Sequence, residues 1–167
     1  MDLLYDMNNQ KPEIRIAKTS DDFSIARDLI LDYVKWLGID LSFQNFDSEI
    51  TNLKAMYFEP VGGLLIATVN SEPAGVAGIR KYHGEECELK RMFVRPDFRN
   101  LGIGKKLLLA SIELAKNLKY KTIKLDTTDF MTDAVKLYQS NGFVEIQPYR
   151  HNPMDSAKYF ELKLNNE

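Results

Sequence analysis

The stretch RNLGIGKK, Arg99 to Lys106, stands between an apolar run that ends in FVRP and a second apolar run, LLLASIELA. An extended segment that passes through two glycines into an amphipathic helix leaves the first helical N–H groups without intrahelical partners, at the positive end of the helix dipole. Gly102 and Gly104 withdraw the side chains that would block close approach, and Arg99, Lys105 and Lys106 add formal positive charge. Such a junction suits an anion, a phosphate above all. A nucleoside triphosphate loop of the form GxxxxGK[ST] is disfavoured, because it would need glycine at position 99 and a hydroxyl at position 106, where Arg99 and Lys106 stand. A dinucleotide fingerprint GxGxxG fails at Leu107. Spacing alone leaves a tight turn with solvated cations equally open.

The flanking patterns place this junction in a larger frame. After a polar leader, residues 1–12, EIRIAK (13–18) alternates as a strand does, and TSDD (19–22) offers a capping box. Phe23, Ala26, Leu29, Ile30, Tyr33, Val34 and Leu37 then recur at helical spacing until Gly38. A weaker helix is predicted over 47–57, then a hairpin formed by GGLLIATV, the turn NSEP and AGVAGIRKY. ECELKRMFV (86–94) reads as a strand leading to the glycines, and Leu107, Ala110, Leu114 and Leu118 mark the helix after them. KTIKLDT (121–127) is strand-like, DFMTDAVKLYQS (129–140) helical with Gly142 as its stop, and FVEI (143–146) and AKYFELKL (157–164) are extended. The order β-α-α-β-β-β-α-β-α-β-β mixes hairpins with crossovers, which implies one α/β domain over residues 13–167, a mixed sheet covered by helices.

Charge and composition narrow the partners. With 22 basic and 24 acidic residues in a chain of 167, there is no global attraction for a nucleic acid backbone. Cys87 is the single cysteine, so no internal disulfide forms and a reducing compartment fits best. The amino-terminal residues have no basic region followed by an apolar stretch, and no apolar run is long enough to span a membrane, so a cytoplasmic location is expected. His83 and His151 are too few and too isolated for a metal site, and no metal is expected.

The residues from 88 to 146 resemble the GCN5-related N-acetyltransferases, the GNAT family. RNLGIG fits the R/Q-x-x-G-x-G/A signature of that family, within the context ELKRMFVRPDFRNLGIGKKLL, and AVKLYQSNGF is similar to its second landmark, a tyrosine-bearing helix followed by G-F and a strand. The resemblance implies a mainly antiparallel sheet with a splayed central cleft, and acetyl-CoA as cosubstrate. It implies that residues 99 to 105 (Arg99, Asn100, Leu101, Gly102, Ile103, Gly104 and Lys105) surround the pyrophosphate, and that backbone groups of Met92, Phe93 and Val94 pair with the pantetheine arm. An N–H of Phe93 or Val94 would stabilise the developing oxyanion. Met131 departs from the pattern, standing where the family often has an asparagine.

By the same resemblance Tyr138 is the acid for the departing sulfur, although its spacing alone favours a core tyrosine. A general base is sought among carboxylates, and Glu88 is the candidate: on a regular strand it shares a face with Lys90, Met92 and Val94. A solvated strand carboxylate, or a partner of Lys90 or Arg91, is an equal reading of it. Cys87, between Glu86 and Glu88, is expected to be buried and inert, not an acyl carrier. Tyr33 and Trp36, and the proline-interrupted stretch PYRHNPMD (148–155), are either core and connection or part of an acceptor wall. The expected acceptor is a primary amine, preferably of a small molecule, used by a monomer or homodimer. The competing expectation is a non-catalytic acyl-CoA sensor or interaction module of the same fold.

Overall fold

A computed structural model describes residues 11–42 and 45–165. Of the expected leader, residues 1–10 lie outside the described residues, and strand β1 already begins at Pro12 (Pro12–Ile16). Helix α1 (Ser20–Leu37) starts at the predicted capping box, where Thr19 accepts from the Asp22 N–H and Asp22 returns a bond to the Thr19 N–H. It stops at Gly38, whose φ of 68° is left-handed. The single weak helix expected over 47–57 is two short ones, α2 (Phe46–Thr51) and α3 (Leu53–Met56). They part at Asn52, whose side chain donates back to the Ser48 carbonyl at 2.8 Å and so competes with the helical ladder.

Strands β2 (Gly63–Val69) and β3 (Glu72–His83) form the predicted hairpin through Asn70 and Ser71, both at positive φ, the conformation a two-residue hairpin turn requires. Strand β4 (Glu86–Val94) leads through a short 3-10 turn, Pro96–Phe98, to α4 (Ile103–Asn117). Then come β5 (Thr122–Thr128), α5 (Thr132–Ser140), β6 (Val144–Ile146) and β7 (Ala157–Lys163). All seven strands make one sheet in the order β1-β2-β3-β4-β5-β7-β6, in which only β4 and β5 run parallel.

Both faces of this sheet are covered, which is why β2 reads as an unbroken apolar run. On one face Leu65, Ile79, Leu89 and Ile123 pack with Leu107 and Leu108 of α4. On the other, Leu64, Ile66, Val76 and Phe93 pack with Ala26, Leu29 and Ile30 of α1 and with Tyr57.

Two irregularities of β4 position everything that follows. Gly78 opposes Lys90 and Val76 opposes Phe93, so a single β3 residue faces the pair Arg91 and Met92. This is a bulge, and Arg91 carries its strain at φ 59°. It also inverts the alternation: Met92 and Val94 pack on the α4 side, while Phe93 packs on the α1 side. The expected common face of Glu88, Lys90, Met92 and Val94 therefore does not exist. Secondly, β4 pairs with β5 only from Glu86 to Glu88, against Thr122 to Lys124, and both strands continue beyond that point unpaired with each other. That divergence is a cleft in the middle of the sheet.

Candidate active site

The helix start beside the cleft is built from both its glycines and its apolar residues. Ile103 is buried and the partly buried Leu101 packs against the same core, so their side chains anchor the loop. Asn100 and Gly102 adopt left-handed φ values of 68° and 76°. The first bond of the helical ladder runs from the Lys106 N–H to the Gly102 carbonyl at 3.1 Å, so the amides before it open outward. A methyl group built on Gly102 would meet nothing within 4 Å, and one on Gly104 only Leu137 Cδ2 at 3.6 Å. The mouth is thus open, as an anion cradle must be. Lys105 and Lys106 are exposed beside it. Arg99 is not aimed there. Its Nε donates to the Val94 carbonyl at 3.2 Å and its guanidinium lies 4.7 Å over the Trp36 ring, tying loop, β4 and α1 together.

Tyr138 lies on α5 and packs into the core on the α4 face of the sheet. It is 6% exposed and packs against Phe143 and Phe160, with ring centroids 5.7 and 6.3 Å away. Burial, and next the nearby Tyr33 and Asp126, hold its hydroxyl proton more firmly than in a free tyrosine. Cys87 is fully buried, its thiol pushed up to about 12 by burial and by Glu88, which removes it as a nucleophile.

A cavity of about 60 Å³ lies where β4 and β5 part. Tyr33 and Leu37 close it from α1, Lys90 and Arg91 from the bulge, Asp126 from β5, and Asn152 from the loop before β7. Asn152 and Met154 of the loop 148–155 line this cavity. Trp36 instead is 45% exposed outside. Glu88 does not line the cavity. It is 1% exposed, and its carboxylate is engaged by Arg150, by Tyr149 Oη at 2.9 Å and by Arg80 at 3.6 Å.

Arg91 is held by Glu49 of α2, at 2.7 Å from Nε and 3.2 Å from Nη2, and lies over the Phe46 ring. Lys90 faces Asp126 at 3.9 Å, and Asn152 donates to Asp126 at 3.2 Å. Burial lowers the Lys90 ammonium to about 8, against the pull of Asp126 in the other direction. Asp126 and Glu49 escaped the sequence reading, which had Lys90 only as a neighbour of Glu88 and Asn152 only within the stretch 148–155. The visible signal was two adjacent cations inside an apolar strand, LKRMFV; their partners come from segments far along the chain. Among the described residues no group of three or more His, Cys, Asp or Glu is arranged to hold a metal, and no helix is long and apolar enough to cross a membrane.

A split mixed sheet with an open helix start at the split defines an acyltransferase architecture of the N-acetyltransferase type. The family model described as the acetyltransferase (GNAT) family matches residues 30–143, and the chain belongs to that family. It is 35% identical over 153 residues to an uncharacterised N-acetyltransferase of Schizosaccharomyces pombe, covering 90% of this chain and 92% of that one. Among solved structures, a GNAT acetyltransferase from Staphylococcus aureus superposes with a TM-score of 0.76 at 27% identity, over 93% of this chain and 100% of the other. An acetyltransferase of Bacillus subtilis in complex with CoA superposes with a TM-score of 0.64 at 24% identity, over 93% and 100%.

Proposed function

We propose that the protein transfers the acetyl group of acetyl-CoA directly to a primary amine of a small molecule or peptide. The observation that carries this reading is the adjacency of the open helix start at Gly102 to the edge of β4 that β5 abandons after Glu88. The CoA complex of the Bacillus subtilis relative supports it as an analogy of fold.

Acetyl-CoA supplies the activated acetyl thioester. The amides around Ile103 and Gly104 would hold its diphosphate, with Lys105 beside them, and the unpaired edge of Met92, Phe93 and Val94 would receive the arm as an added strand. The Phe93 or Val94 N–H would face the developing oxyanion. In the transfer a nitrogen–carbon bond forms and the carbon–sulfur bond breaks. Of the two protons that an ammonium sheds, one is balanced by the proton that sulfur gains and the other leaves to solvent. Tyr138 provides the proton for sulfur, and its firmly held hydroxyl keeps it in the donor form at neutral pH.

For the amine's proton, reach comes before acidity. Asp126 lines the cavity, whereas both oxygens of Glu88 are occupied outside it. We therefore give Asp126 the proton-accepting place, and Glu88 the task of fixing Tyr149 and Arg150 at the start of the wall loop.

The test is a thiol-release screen over amines with acetyl-CoA, beside the Tyr138→Phe variant. Turnover by the wild-type chain is expected with some amine, falling about 100-fold or more in Tyr138→Phe with CoA affinity kept. Unchanged turnover in the variant would remove Tyr138 from its role. CoA binding with no thiol released by any amine would favour the non-catalytic acyl-CoA module.

A further inference from the structure

We propose that Arg80, which lies outside the cavity lining, is a positioning residue: it ties the two walls of the cavity to each other and thereby sets the fit of the acceptor amine. The kinetic consequences rest on the N-acetyltransferase reading; the structural ones do not.

The place of Arg80 follows from the strand register. It stands on β3 directly opposite Glu88 of β4, and Glu88 with Lys124 is the last pair that joins β4 to β5. Residues opposite each other in a ladder present their side chains to the same face of the sheet. Arg80 and Glu88 therefore meet at the apex of the split, one residue before the cavity lining begins on β4 at Leu89. The walls diverge from this point.

From the apex one guanidinium reaches two carboxylates. Its Nη1 donates to Glu49 Oε1 at 3.3 Å, and its Nη2 stands 3.6 Å from Glu88 Oε1. Each of these carboxylates is 1% exposed, and each fastens a different wall. Glu49 of α2 grips Arg91, on the β4 wall, at 2.7 and 3.2 Å. Glu88 accepts from Arg150 and from the Tyr149 hydroxyl, at the start of the loop that carries Asn152 and Met154 to the other wall. Tyr82, two positions beyond Arg80 on β3, donates from its hydroxyl to the Tyr149 carbonyl at 3.0 Å and fixes the same point. Asn152 then donates to Asp126, so the set of this loop bears on the residue given the proton-accepting place.

Electrostatics gives this link its weight. Two buried carboxylates that share one guanidinium, at 3.3 and 3.6 Å, are near neighbours, and like charges repel most where water is scarce. The Arg80 side chain is itself 20% exposed, and solvent weakens each of its contacts taken singly. A planar fork still suits the place better than a point charge, because its two ends address two carboxylates at once. Without Arg80, Glu49 keeps Arg91 and Glu88 keeps Arg150. Each wall retains its own anchor, and what goes is the link between them.

The first test takes an amine that the thiol-release screen finds to be acetylated. In Arg80→Met its KM should rise roughly 5- to 30-fold, the worth of partly exposed charge-assisted contacts, with a smaller change in kcat and none in the KM of acetyl-CoA. Arg80→Lys should recover part of the loss, since the charge returns without the fork. The rise should also shrink in a Glu88→Gln background, where the link is already cut. An amine KM unmoved in Arg80→Met, an equal rise in the KM of acetyl-CoA, or full additivity with Glu88→Gln would each overturn the assignment and leave the acetyltransferase reading standing.

The second test needs no turnover. The Glu49 and Asn52 amides, within α2 and at its end, and the Met154 amide of the loop are hydrogen-bonded in the folded chain. In Arg80→Met both groups should exchange their hydrogens faster together, while the amides of α4 keep their rate. Faster exchange in one wall only, or in neither, would overturn the link. So would a rise that includes α4, which would make Arg80 a support of the whole fold. If no amine is acetylated at all, the enzyme reading fails, and this exchange pattern still decides for or against Arg80.

Discussion

Lys90 shows how one residue acquires chemistry that its neighbours in sequence do not predict. A lysine in a strand is ordinarily a solvated edge charge, but here the bulge at Arg91 and the closure by α1 bury it, with a side-chain exposure of 3%. Burial lowers its ammonium to about 8, with Asp126 and Glu88 opposing that shift and Arg91 and Arg150 adding to it. The sign follows directly. Below pH 8 the residue is a cation on the cavity wall, and above it that charge fades. The kcat/KM of the wild-type enzyme for an acceptor amine, divided by that of Lys90→Met for the same substrate, should therefore be constant below about pH 7 and fall as pH rises through about 8 when the cation is the useful form. Taking the ratio on one substrate cancels the ionisation of its own amine. A ratio that rises through this range would mean that neutral Lys90 is the useful form, as a proton acceptor.

The junction from β4 to α4 separates two uses of glycine within one element. Gly102 holds φ 76°, a region that costs an alanine roughly 1–2 kcal/mol even though a methyl group there would meet nothing within 4 Å. Gly104 lies in the first turn of α4 without that constraint, and its added methyl would make only ordinary contact with Leu137. Gly102→Ala should thus lower stability by about 1–2 kcal/mol and weaken CoA binding by distorting the amide fan. Gly104→Ala should be neutral, or stabilising by up to about 1 kcal/mol, because alanine is the better helix former. Denaturant unfolding and CoA titration of the two variants check both statements. Equal losses at the two positions would mean that room for the ligand, and not backbone conformation, governs the loop.

At the scale of the whole molecule, local patterns carried well and long-range pairings did not. Glu86–Val94 and the Thr19 capping box were legible because alternation, caps and turn residues act within a few positions. The helix start at Gly102 was legible for the same reason. The bulge at Arg91 was not, since the partner that holds Arg91 is Glu49, forty-two positions away on a helix that the pattern only weakly announced. Glu88 was misplaced on its face for want of that bulge, and Asp126 went unnoticed because its partner, Lys90, belongs to another strand.

The resulting architecture has a mechanical consequence. The halves β1–β4 and β5–β7 are stitched directly by three paired positions, Glu86 to Glu88 with Thr122 to Lys124, and beyond them the sheet is open. A ligand that adds itself to the β4 edge supplies the missing pairing and binds only the folded chain. At about 100 times its Kd, CoA should add roughly 2.7 kcal/mol, which for a chain of this size raises Tm by about 5–10 °C. The protection should also be uneven. Amides from Lys90 to Val94 and at Ile103 and Gly104 should slow their hydrogen exchange more than those of β6 and β7, which lie away from the β4 edge. Uniform slowing across the sheet would indicate stabilisation without the added strand, and would place the bound arm somewhere other than the split.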